Sequence, residues 1–246
     1  MDITTSRIRP ARTGAHARWL AGGFVLAFAV PFLFAELLTL PRDLYYGVHA
    51  LLAVGFFLGW VRATGENLPE MVRRRPLLTV VLAISAAAVL TLVVVATEPP
   101  STGSDGLVLA WDLVWRGVIY GAVDGLLLSS FPILAVFAAA RGSRLRSRRG
   151  GTIVVGAAAM VASLLMTAVY HLGYSDFRSD KLARPVAGDV VWSLPTLLTQ
   201  NPIGAPVAHA GLHIAAVLHS PQTDTFLPPH DQPAAPVAPD GEAGRP

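Results

Sequence analysis

Long apolar runs separated by short polar loops dominate the chain, at residues 19 to 40, 44 to 61, 77 to 96, 107 to 139, 152 to 173 and 203 to 219. A hydrocarbon core about 30 Å thick needs roughly 20 helical residues to cross it. In lipid, backbone polar groups must bond to one another, and these runs are too long and too uniformly apolar for barrel strands. The pattern predicts an all-α fold, a polytopic membrane helix bundle of about six transmembrane helices. Residues 186 to 200 are shorter, only moderately apolar and contain Pro195. They read as an interfacial or re-entrant piece leading into the last helix.

The first run follows Arg7, Arg9, Arg12 and Arg18, and Ala27-Phe28-Ala29 has the look of a signal-peptide cleavage site. Apolar character continues through Pro31 to Leu40, past the usual signal core, so an uncleaved helix is expected. The chain then divides into a basic N-terminus (1–18), a helical membrane domain (19–219) and a proline-rich tail (220–246). The tail lacks apolar periodicity and is expected to be disordered.

Of 19 basic residues all but Lys181 are arginine, and they are unevenly placed. Four precede the first helix; Arg62, Arg73, Arg74 and Arg75 follow the second; Arg141, Arg144, Arg146, Arg148 and Arg149 follow the fourth. In the intervening loops, Arg178, Lys181 and Arg184 are offset by Asp176, Asp180 and Asp189. Short loops rich in arginine stay cytoplasmic. With six crossings both termini are therefore predicted to be cytoplasmic, in a multi-pass protein of the cell membrane.

Composition sharpens the picture. With 53% hydrophobic and 14% charged residues and a mean hydropathy of +0.52, a water-soluble domain with one core is excluded. The expected partner is the lipid bilayer, with no nucleic acid. The absence of cysteine removes disulfides, thiolate catalysis and Cys-ligated metal.

Ionisable groups at membrane depth cost about 2.5 to 3.5 kcal/mol or more at a helix centre, so they mark function. The candidates are Glu36, His49, Asp112, Arg116, Asp124, His171, His209, His213 and His219. Asp112, Arg116, Tyr120 and Asp124 recur every fourth residue along one stripe, where Arg116 can pair with Asp112 and reach toward Asp124. Equally, Asp112 and Arg116 can be snorkelling charges in an interfacial belt with Trp111 and Trp115; Asp124, two turns further in, fits that description least. His209 and His213 share one face of a helix thinned by Gly204, Ala205, Ala208, Ala210, Gly211, Ala215 and Ala216. Two imidazoles at that spacing can share a metal or a substrate, or simply bond across helices. His171, flanked by Tyr170 and Tyr174, can meet them at one depth or sit at the interface.

The order and spacing of three segments resemble the CAAX protease and bacteriocin-processing (CPBP) family of intramembrane proteases. Trp111-Asp112-Leu113-Val114-Trp115-Arg116-Gly117 resembles the family's EExxxR-Gly motif, Thr167 and His171 its FxxxH, and His209 and His213 its HxxxN. The resemblance covers residues 107 to 215. Trp111 stands where the family has the first glutamate, Asp112 where it has the second, Thr167 for phenylalanine and His213 for asparagine, whereas Arg116, Gly117, His171 and His209 match.

The resemblance implies peptide hydrolysis inside the bilayer, with catalytic residues Asp112, Arg116, His171, His209 and His213. Asp112 would polarise a water, and the histidines would position it or stabilise the oxyanion. A divalent metal held by the three histidines and Asp112, zinc or iron by its nitrogen and oxygen ligands, is a second chemistry open to the same residues. Two non-enzymatic readings stand beside these. One is a scaffold or binding protein whose polar residues form a buried network. The other is a small-molecule carrier with a path through Glu36, Asp124 and His49.

Overall fold

The computed structural model describes residues 13–143, 150–223 and 225–227. Arg7, Arg9, Arg12, Arg144, Arg146, Arg148, Arg149 and the tail beyond 227 lie outside the described residues. Among the described residues there are no strands. Seven long helices form the fold: α1 (Thr13–Leu37), α2 (Arg42–Thr64), α3 (Pro76–Thr97), α4 (Gly106–Ala139), α5 (Gly151–Leu172), α6 (Ala183–Thr199) and α7 (Gly204–His219). Gly65, at φ 71°, ends α2 in the left-handed conformation, and Pro76 opens α3 where a missing N–H costs nothing.

The first five helices are long and apolar enough to cross a membrane. Their outward positions carry Val25, Leu51, Leu77, Ile84, Leu92, Leu107 and Ile153, each more than half exposed, while Asp124, His49, His213 and Asp189 are buried inside. Such an inverted distribution suits lipid as the solvent. The chain is a multi-pass membrane protein built as an all-α bundle. The expected sixth crossing, α7, has 16 residues, about 24 Å of helix. It packs between α3, α4 and α6 and is mostly buried, with Val207 and Leu218 exposed.

Residues 186 to 199 are not a separate short piece; they belong to α6, which runs the depth of the bundle from Arg184 beside Glu98 to Leu198 beside Arg75. Its modest hydrophobicity has a physical cause. Asp189, Ser193 and Thr196 point inward and are fully buried, whereas Val190, Leu194 and Leu198 face outward. Asp189, expected in an outer loop, is a core residue.

This extra helix changes the parity of the chain. At one end, Thr13 donates to the Ala139 carbonyl (3.1 Å), Arg141 pairs with Glu66, and the Asn201 amide donates to the carbonyls of Val72 (2.7 Å) and Arg74 (2.9 Å). At the other, Glu98 pairs with Arg184 (3.2 Å) and accepts from Thr223 (2.8 Å), and the Ser101 amide donates to the His219 carbonyl (3.1 Å). Thr13 and Thr223 therefore fall at opposite ends of the bundle. The expectation of both termini on one face rested on six crossings and loses its basis with seven.

Helix α4 is the axis of the fold, and its apolar length is mostly buried inside the bundle. Two stretches, Leu113–Tyr120 and Leu126–Ser130, are wound as π-helix. Residues four apart in an α-helix drift about 40° around the axis, and the wider π turns take that drift back. Gly117, Gly121 and Gly125 consequently stay beneath α7. A methyl group at Gly125 would meet the Ala205 carbonyl oxygen at 2.7 Å, and one at Gly121 the Ala210 Cα at 2.9 Å. The two backbones touch along this seam.

Candidate functional site

The glycine seam sets Asp124 of α4 against His213 of α7, with Oδ2 and Nε2 3.8 Å apart. From the other side His49 of α2, fully buried, brings its Nε2 to 2.8 Å from Asp124 Oδ1. His209, one turn before His213, stacks on Trp192 of α6 (centroids 4.3 Å, 17° between planes) and meets the His213 ring edge-on at 4.8 Å. Asp124, His209 and His213 each offer a ligand atom within 4.8 Å of the other two. Among the described residues these three are the group that could hold a metal ion.

His171 ends the last turn of α5. Its Nδ1 lies 2.8 Å from the Thr167 carbonyl, which can only accept, so Nδ1 carries the proton and Nε2 keeps the lone pair. Thr167, at the place of the family's phenylalanine, also donates its hydroxyl to Asp189 Oδ2 (3.0 Å). It thereby ties the orientation of His171 to the neighbouring buried network. There Ser163 (3.1 and 3.0 Å) and Ser193 also donate to Asp189, and Ser129 bonds Ser193 at 2.5 Å.

Asp124, His171, His209 and His213 border one cavity of about 350 Å³. Its remaining wall is mostly apolar, with Leu90, Val93, Val191 and Leu212, and Arg184 lies at the end where it pairs with Glu98. Thr225 and Phe226 also line it and Leu227 is buried, so residues 225–227 of the predicted tail cover the cavity.

A tyrosine cluster flanks the cavity, and no part of it follows from the motifs. The Tyr170 hydroxyl lies 2.6 Å from that of Tyr120, 3.1 Å from Tyr45 and 2.9 Å from Tyr174, and Tyr45 and Tyr174 are 2.5 Å apart. Tyr46 stacks on Tyr120, so all five tyrosines of the chain gather here. Tyr170 and Tyr174 are buried within the protein. Burial drives the Tyr174 phenol well above its ordinary pKa, so it stays a neutral donor.

Of the five residues in the predicted catalytic set, the three histidines come together and the other two do not join them. Arg116 clasps Asp43 of α2 with Nε and Nη2 (3.0 and 3.1 Å) and reaches Asp112 with Nη1 (3.3 Å). Ser104 donates to the other Asp112 oxygen at 2.6 Å. Neither Asp112 nor Arg116 lines the cavity, and exposed Trp111 stacks on Trp115 beside them. Arg116 turns away from Asp124, and the carboxylate at the histidines is Asp124. Glu36 lies in the π-wound end of α1 and His219 bonds the Glu98 carbonyl (3.0 Å); neither borders the cavity.

Comparison of the chain with protein-family models, with curated proteins and with solved structures finds no match.

Proposed function

We propose that the chain is a membrane-embedded hydrolase that cuts a peptide bond, similar in the order of its histidine motifs to the CPBP proteases. The observation that supports this reading is the meeting of His171, His209 and His213 with a carboxylate at one cavity, in a bundle whose other large polar network is closed. Ser163, Ser193 and Thr167 all donate to Asp189. By contrast, His209 Nδ1 and His213 Nδ1 are buried and have no hydrogen-bond partner among the described residues. A purely structural network gains nothing from unpaired buried nitrogens.

In this mechanism Asp124 takes the proton of a water whose oxygen attacks the acyl carbon, and passes it to the leaving amine nitrogen. An imidazole N–H faces the oxyanion. Asp112 and Arg116, assigned to the chemistry by the family resemblance, brace α4 against α2. The arginine-rich end, with Arg62, Arg74, Arg75 and Arg141, is assigned to the cytoplasm, which puts the Glu98 end and the mouth of the cavity on the opposite face.

The test is oxygen-18 incorporation. Proteoliposomes carrying the protein and a library of transmembrane peptides in labelled water should yield new carboxyl termini bearing the label. Asp124→Asn should abolish them and Arg116→Lys retain them. Equal labelling with wild type and Asp124→Asn would sink the proposal.

A further inference from the structure

The carboxylate of Asp124 is 3% exposed, and the groups that face it are the imidazoles of His49 from α2 and of His209 and His213 from α7, with the neutral phenols of Tyr45, Tyr46, Tyr120 and Tyr170 beside them. No guanidinium reaches it. Arg116 is taken by Asp43 and Asp112, and Arg184, at the far end of the cavity, is held by Glu98. A carboxylate in an apolar interior needs either a full set of hydrogen-bond donors, as Asp189 has, or a positive charge close by. The facing nitrogens are lone-pair donors of the kind that bind first-row divalent metals.

Two further observations point the same way. First, His213 Nε2, the nitrogen turned to Asp124 Oδ2, stops at 3.8 Å, beyond hydrogen-bond reach, and His209 Nδ1 is buried with no hydrogen-bond partner among the described residues. Unpartnered imidazole nitrogens beside a buried carboxylate are what a ligand set presents before its ion is added. Second, the rings are already held: His209 by stacking on Trp192, and His213 by the Tyr120 ring edge (5.3 Å) and by the close backbone of Gly121. Held rings lose little freedom when an ion binds.

We propose that Asp124, His209 and His213 form a binding site for one divalent cation of the zinc type. The inference stands on this geometry alone and does not rest on the hydrolytic reading; with an ion bound, Asp124 is a ligand, and the proton-accepting role given to it above would fall to the free Nε2 of His171. Zinc binds imidazole nitrogen and carboxylate oxygen at about 2.0 to 2.2 Å. The ligand atoms lie within 4.8 Å of one another, so small side-chain rotations close the set around the ion. His49, against the other Asp124 oxygen, acts as the outer partner that fixes the carboxylate. With three protein ligands a tetrahedral ion keeps one position free, and here that position faces the cavity. His171, with its Nε2 lone pair free, borders the same cavity and can accept from whatever occupies it.

The experiment uses the full chain in detergent, stripped with a chelator and titrated with Co(II) and Zn(II). Metal content is read by elemental analysis and cobalt geometry by its visible d–d bands. The expected result is one equivalent of metal per chain, with tetrahedral cobalt bands. His209→Gln and His213→Gln should weaken binding roughly 100-fold or more, beyond the loss typical of an outer-shell change. His16→Gln and His219→Gln, elsewhere in the fold, should bind normally. If either ligand variant fails to fold, X-ray absorption of the cobalt-loaded wild type decides, since two imidazoles must appear in the first shell. No stoichiometric metal, unchanged affinity in the ligand variants, or a shell without imidazole would overturn the site.

Discussion

Asp124 and Asp189 are both carboxylates sealed inside the bundle, 3% and 0% exposed, and they are held in opposite ways. Asp189 accepts hydroxyl donors from Ser163, Thr167 and Ser193 on two helices, so its charge is spread over a closed set of hydrogen bonds. Asp124 has no such set of hydroxyl bonds among the described residues; the imidazoles of His49 and His213 approach it on the wall of a cavity. One arrangement fixes helices, and the other leaves a polar group ready for something else.

The two should respond differently to the same change. Asp189→Asn replaces an acceptor oxygen with an NH₂ facing hydroxyl donors, and leaving buried groups unsatisfied costs about 1 to 3 kcal/mol. A lower thermal midpoint in detergent is expected. Asp124→Asn should leave the midpoint unchanged or raise it in metal-free protein, since functional sites are commonly held at a cost to stability. A drop as large as that of Asp189→Asn would make Asp124 a structural residue.

The α4–α7 seam makes a second contrast. Gly125→Ala would drive a methyl into the Ala205 carbonyl, a backbone atom with no rotamer to yield, whereas Gly156 on α5 has nothing within 4 Å. Overpacking of this kind typically costs about 1 to 3 kcal/mol. Gly125→Ala is expected to lower the thermal midpoint and, by moving α7, to weaken metal binding, with Gly156→Ala neutral in both. Equal behaviour of the two variants would mean that the helices are not in backbone contact.

Much of this was legible in the chain. Length and apolarity mark α1 to α5, and the spacing of His171, His209 and His213 is enough to suggest one site. Helix α6 was not legible as a crossing because hydropathy assumes that polar residues face out, and its Asp189, Ser193 and Thr196 face in. With six crossings α7 runs the opposite way, which sets its histidines at the depth of Asp112 near the outer end; with α6 counted, they meet α4 at Asp124 instead. The tyrosine cluster had local signs, Tyr170 and Tyr174 one turn apart and Tyr120 on the stripe of Asp124. Its closure needs Tyr45 and Tyr46 from a helix that spacing along the chain does not connect to them.

Arg116 offers a prediction that separates the structural role from the catalytic one implied by the motif. It binds Asp43 through two nitrogens, with side chains 24% and 46% exposed. Lysine cannot reproduce that fork, and solvent screening keeps the loss near about 1 kcal/mol. Arg116→Lys should lower the thermal midpoint slightly while metal binding and any turnover persist. Full loss of turnover with an intact fold would return Arg116 to the chemistry.

The seven-helix parity has the most direct test, because the chain contains no cysteine. Single cysteines at Ser101 and at exposed Gln222 should react with an impermeant maleimide from the same side of intact membranes. A cysteine at Arg73 should react only from the other. Hydrogen bonds tie residues 220–223 to the loop after α3 and tie Asn201 to the loop before it. With the arginine-rich end cytoplasmic, Ser101 and Gln222 should label from outside the cell and Arg73 only after the membrane is opened. Labelling of Gln222 from the side of Arg73 would restore six crossings and remove α6 as a spanning helix. The depth at which His209 and His213 meet Asp124 would then have to be rebuilt.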